Sequence, residues 1–148
     1  MRSTDDVEEI KFVLSLYGNY QRQEQKWLKE AFELQMQVDD MLYPKGINFE
    51  EKLGSSKDPK STPAINMKQH ELDYADRMAE SYRMKYEALD EEYRIEQRFE
   101  LIPDSHRVTL ELVYLKKISY NKIADDEYIS RQGVADRVKN AVASFMKV

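Results

Sequence analysis

From Ile10 to Met41 an apolar or aromatic residue recurs at every third or fourth position, with Glu24 as the single polar intruder. Ile10, Tyr17, Glu24, Ala31 and Val38 share one heptad position, and Val13, Tyr20, Trp27, Leu34 and Met41 share the other. Leu14, Leu28 and Leu42 widen the stripe. Spacing near 3.5 residues keeps one face of an α-helix apolar along its whole length, whereas strand faces alternate every second residue. A helix of this kind is not stable by itself, because its stability comes from burying the stripe. The segment therefore needs a second helix, from its own chain or from another copy.

The chain supplies a second helix. Ile65, Lys68, Leu72, Ala75, Ala79, Tyr82, Tyr86, Leu89, Tyr93 and Glu96 follow the same spacing. Between the two segments lie Pro44, Gly46, Gly54, Ser55, Ser56, Pro59 and Pro63, the chemistry of a linker. The expected organisation is a first long helix over 1–42, a flexible linker over 43–63, a second long helix over 64–101, and a separate C-terminal domain over 102–148. Gly18-Asn19 reads as a weak point in the first helix, either a kink or a turn. With four glycines and four prolines in 148 residues, helix is the default. The fold class is all-α: two long amphipathic, coiled-coil-like helices joined by a linker, plus a C-terminal helix-turn-helix domain.

The absence of cysteine removes a disulfide framework and thiolate metal sites. No run of 18 apolar residues occurs, and Met1-Arg-Ser-Thr-Asp-Asp has no apolar leader core, so the expectation is a soluble, cytoplasmic protein with no membrane contact. The net charge of −5 is unevenly spread. Residues 1–100 carry 15 Lys/Arg against 22 Asp/Glu, residues 101–148 carry 8 against 6, and from Ser130 onward the count is 4 against 1.

That last third has its own logic. Pro103 opens a helix over Asp104–Lys116. Ser119 then caps Tyr120–Glu127, and Ser130 caps a final helix with Val134, Val138, Ala141, Val142 and Phe145 on one face. Two short helices joined by a tight turn are the layout of a helix-turn-helix, whose second helix enters the major groove of DNA. Ala124 is the small residue where the two helices cross; Ile123, Ile129, Val134 and Val138 fix the angle. Arg131, Gln132 and Asp136 are then exposed, with Arg137 and Lys139 on flanking faces. Arginine binds guanine O6/N7 and glutamine binds adenine N6/N7 in bidentate fashion. Serine hydroxyls such as Ser119 and Ser130, with helix N-terminal N–H groups, suit phosphates, whereas Tyr120 suits packing with its hydroxyl exposed. The candidate DNA-binding residues are Ser119, Tyr120, Ser130, Arg131, Gln132, Asp136, Arg137 and Lys139.

Leu101-Ile-Pro, Leu112-Val-Tyr-Leu-Lys-Lys-Ile-Ser-Tyr-Asn-Lys-Ile-Ala and Ile129-Ser-Arg-Gln-Gly-Val resemble region 4 of the sigma-70 family over about 45 residues. The Ser-Arg-Gln-x-Val run is also similar to the small helix-turn-helix proteins of signal recognition particle operons. In architecture, the whole chain resembles phage-encoded late transcription regulators of the ArpU/RinA type. The resemblance implies a sequence-specific regulator that binds double-stranded DNA through helix 130–142, and it admits RNA polymerase as a second partner. A homo-oligomer, most simply a dimer, would be built on the long helices. The sequence departs from the family pattern at Glu127 and Tyr128, which replace leucine and glycine, and at Gly133, where serine or threonine is common. Tyr128 is expected to supply packing that the missing leucine would give.

Other chemistry is poorly represented. His70 and His106 have no second histidine or cysteine at ligand spacing, so no metal is expected. Acidic runs such as Asp90-Glu91-Glu92 read as solvated helix faces rather than acid/base pairs. The ten tyrosines and Trp27 mostly fall on the heptad seams, which favours packing over base stacking. No phosphate loop or nucleophile motif is present, and neither an enzyme nor a cofactor is expected. Two alternatives remain open at this level: a DNA-binding assembly protein like a phage small terminase subunit, and a helical adaptor with no DNA role.

Overall fold

The computed structural model describes residues 4–43 and 62–148. The linker expected over 43–63 lies outside the described residues except at Tyr43, Thr62 and Pro63. Six α-helices follow in order: α1 Thr4–Leu42, α2 Pro63–Tyr93, α3 Ile95–Leu101, α4 Asp104–Leu110, α5 Tyr120–Glu127 and α6 Arg131–Lys147. A π-helical turn over Glu111–Leu115 continues α4. The described residues contain no strand, and the fold is all-α with two long helices. No described helix is long and apolar enough to cross a membrane. The chain forms two compact units, one of Met1–Arg22 with Tyr82–Val148 and one of Gln23–Ser81.

The first unit is built around bulky buried side chains. Leu14, Tyr17, Ile95, Leu110, Val134, Val142 and Phe145 are fully buried. Each such side chain contributes about 1.5–3 kcal/mol by leaving water. Phe99 meets Phe145 edge-on at 5.6 Å, and Tyr17 meets Tyr86 at 5.8 Å. The Tyr17 hydroxyl donates to Glu96, and burial together with that bond pushes its phenol well above the usual range. The C-terminal helices expected as a separate domain over 102–148 thus share one core with Ile10, Val13, Leu14 and Tyr17 of α1. The first turns of α1 help to cover the apolar faces of these helices.

Gly18 is neither a kink nor a turn. α1 runs through it without a break, and its missing side chain makes room for a neighbour. A Cβ there would stand 2.8 Å from the Leu115 Cα and still nearer the Tyr114 carbonyl oxygen, so only glycine lets the π-helical turn approach. One turn later Arg22 donates to the Tyr114 and Leu115 carbonyls at 3.1 and 2.6 Å. These are orphan acceptors at the end of a helix, and the guanidinium fork satisfies them. The Tyr114 side chain is half-buried against the core, and burial pushes the pKa of its phenol up to about 12.

The second long helix, expected to be continuous over 64–101, breaks at Arg94. That residue takes a left-handed conformation, φ 54° and ψ 46°. Such a conformation costs a non-glycine residue about 1–2 kcal/mol. It is offset by burying Ile95 and Phe99, and by Asp90, whose carboxylate accepts from the Glu96 N–H at 2.8 Å and so caps α3. Tyr93, at the end of α2, donates to Glu9 at 2.9 Å.

The second unit pairs the C-terminal half of α1 with the N-terminal half of α2 around Ala31, Leu34, Leu72 and Ala75. Trp27 packs beside them and meets Tyr74 edge-on at 5.6 Å. Here the heptad seam is covered from within the chain, and Glu24 is buried on it.

Candidate nucleic-acid interface

Two serines set up the C-terminal pair of helices. Ser119 is extended, φ −67° and ψ 153°, and its hydroxyl oxygen accepts from the Lys122 N–H at 3.2 Å. Ser130 does the same for α6, accepting from the Gly133 N–H at 3.0 Å. Each cap occupies one acceptor position and leaves the hydroxyl proton available. The first N–H groups of α5 and α6 have no partner within their own helices.

The turn between these helices is three residues long, Tyr128 to Ser130. Tyr128 occupies the left-handed region, φ 57° and ψ 42°. It is 95% exposed, so the packing expected of it does not occur. Its backbone instead serves as the cap: the Tyr128 and Ile129 N–H groups both reach the Ala124 carbonyl. The turn geometry that glycine would supply is held without glycine. Ile123, Ala124, Val134 and Val138 are buried and Ile129 is half-buried, so the packing set read from the sequence comes together at this crossing.

The eight candidate residues divide into groups. Ser119 is exposed at the start of α5, while Tyr120 is half-buried against the core. Ser130, Arg131 and Gln132 are exposed at the start of α6. At 100° per residue, Gln132, Asp136 and Lys139 share the face opposite Val134, Val138 and Phe145. The Gln132 amide donates to Asp136 at 3.1 Å, which leaves its carbonyl oxygen free. Arg137 does not join them: it lies on the flank toward α5 and pairs with Glu127, bracing the two helices. Glu127 thus contributes an ion pair, not an apolar contact, at the end of α5. Arg131 and Lys139 have no side-chain partner among the described residues.

The structure adds two residues that motif reading passed over. Lys116 and Lys117 are exposed one residue ahead of the Ser119 cap, with Ile118 between, and Lys117 is left-handed at φ 54°. A dibasic pair just ahead of a serine cap is a readable signal. Lys122 is also exposed but pairs with Asp126 at 3.1 Å. Opposing charge is close by, since Asp125 and Asp126 are exposed on α5. A cleft of about 530 Å³ opens between α4, α5 and α6, lined by His106, Leu112, Ile123, Val134 and Arg137 among others. It lies on the Arg137 flank of α6, away from Gln132 and Lys139. Nδ1 of His106 is buried there without a hydrogen-bond partner. The chain matches no protein-family model, no characterised protein and no solved structure.

Proposed function

We propose that the chain is a sequence-specific, duplex-DNA-binding transcription regulator of the phage or prophage kind that its whole-chain architecture resembles, with a sigma-like C-terminal third. The observation that carries this reading is the pair α5 and α6. Each is opened by a serine cap, a three-residue turn joins them, and α6 presents Arg131, Gln132 and Lys139 to solvent. Arg131 and Gln132 would read base edges in the major groove. Lys116, Lys117, Ser119 and the N–H groups at the start of α5 would hold phosphates on either side. Asp136 would position Gln132 rather than touch DNA, and Arg137 would brace α6 through Glu127. The regulator would act as a dimer, so that two copies of α6 read two half-sites. The sigma-like resemblance also admits RNA polymerase as a partner.

Selection of duplexes from a random pool by the full chain tests this reading. A recurring motif arranged as an inverted repeat is expected. A pool that stays random after repeated rounds would contradict sequence-specific binding.

A further inference from the structure

The unit of residues 23–81 leaves a second apolar ridge on α1. Leu28, Phe32 and Met36 follow one another at four-residue steps, and Tyr43 stands in the bend just past the end of α1. They are 44%, 66%, 52% and 53% exposed. At 100° per residue Leu28, Phe32 and Met36 fall within about 80° of one another, well away from the face carrying Ala31, Leu34 and Val38. A helix whose only partner is α2 would present polar groups on this side. We infer that the ridge is where a second copy of the chain docks, α1 lying antiparallel against α1. This deepens the dimer part of the proposed function and rests on that part; it does not require DNA.

Charge selects the occupant. Lys29 borders the ridge near its start; near its end Asp39 lies on the ridge's own face and Asp40 borders it. An antiparallel two-fold pair that sets Phe32 against Met36 of the second copy brings Lys29 opposite Asp39 and Asp40 of the second copy, twice per dimer. A parallel pair would set lysine against lysine and aspartate against aspartate. Within the chain, Asp39 already accepts from the Gln35 amide at 3.0 Å. Lys29 and Asp40 have no partner among the described residues. The antiparallel pair supplies each with one. From Leu28 to Tyr43 the ridge runs about 22 Å at 1.5 Å per residue. A contact of that length falls short of the roughly 800 Å² per partner of a standard interface, so the dimer should exchange at micromolar concentration.

Sedimentation equilibrium of the full chain without DNA, over low to high micromolar concentration, tests the inference. The chain of 17.6 kDa should reach twice that mass. Phe32→Glu should weaken association about tenfold or more while leaving helical content unchanged, because the side chain faces solvent within one copy. Lys29→Asp should weaken it less, and combining Lys29→Asp with Asp39→Lys and Asp40→Lys should restore it. If Phe32→Glu remains as dimeric as the parent, the ridge is not the interface, although the dimer stands. If the charge swap fails to restore association, the antiparallel pairing falls. A parent chain that is monomeric or ring-sized removes the dimer as well. Success or failure of duplex selection leaves this result untouched.

Discussion

The two compact units draw on the same two long helices and bury them very differently. In the unit of residues 1–22 and 82–148, the heptad stripe of α1 presents Ile10, Val13, Leu14 and Tyr17 to a core that also holds Ile95, Phe99, Leu110, Val134 and Phe145. In the unit of residues 23–81, the same stripe meets a cluster in which two of the four members are alanine. Phe32, Met36 and Met67 there remain more than half exposed. A heptad pattern guarantees an apolar face. It does not say how much apolar surface will lie opposite. The first unit has a dense core and fixed turns. The second is sparsely packed and leaves apolar side chains exposed.

Substitutions in the two units test this contrast. The largest effect is expected for Gly18→Ala. The new methyl would press on the Leu115 backbone, which has no rotamer to yield. The cost should be about 3 kcal/mol, despite the roughly 1 kcal/mol that alanine gains over glycine in an unhindered helix. In the sparse unit, Leu72→Ala should cost about 2 kcal/mol, the low end for a buried leucine, because little packing surrounds it. Urea unfolding of both variants checks the order. A greater loss from Leu72→Ala would overturn the contrast in packing.

A smaller effect, of opposite sign, is expected at the turn before α6. Tyr128→Gly relieves a left-handed tyrosine that buries almost nothing, and should stabilise the chain by about 0.5–1 kcal/mol after the entropy cost of glycine. Destabilisation would mean that the Tyr128 ring makes a contact its exposure does not reveal.

The contrast also explains how much could be read from the sequence. The two seams, the Pro103 start, the Ser119 and Ser130 caps and the crossing residues around Ala124 were legible, because each rests on local periodicity or capping chemistry. The break at Arg94 was not. Its cause is the burial of Ile95 and Phe99, and neither glycine nor proline marks the spot. The usual glycine logic is inverted among the described residues: Arg94, Lys117 and Tyr128 take the left-handed turns, while Gly18 and Gly133 sit inside helices. Local propensity suggests a weak point at Gly18. The reason for glycine there is the π-helical turn, which Arg22 grips from 92 positions away in sequence. At the candidate interface, residue types and caps were readable. The diversion of Arg137 to Glu127 and of the Gln132 amide to Asp136 was not, because both depend on how α5 and α6 face each other.

Duplex binding by the densely packed unit is the central claim, and a titration of the parent chain and Arg131→Ala tests it most directly. Both would be measured on a selected duplex and on a scrambled one, across a range of salt. The parent should lose affinity steeply with salt, with a logarithmic slope of roughly −3 per copy if Lys116, Lys117 and Lys139 meet phosphates. Arg131→Ala should lose about 1–3 kcal/mol on the selected duplex and much less on the scrambled one. A parent chain with no salt-dependent binding, or an Arg131→Ala variant that binds both duplexes as the parent does, would contradict the account.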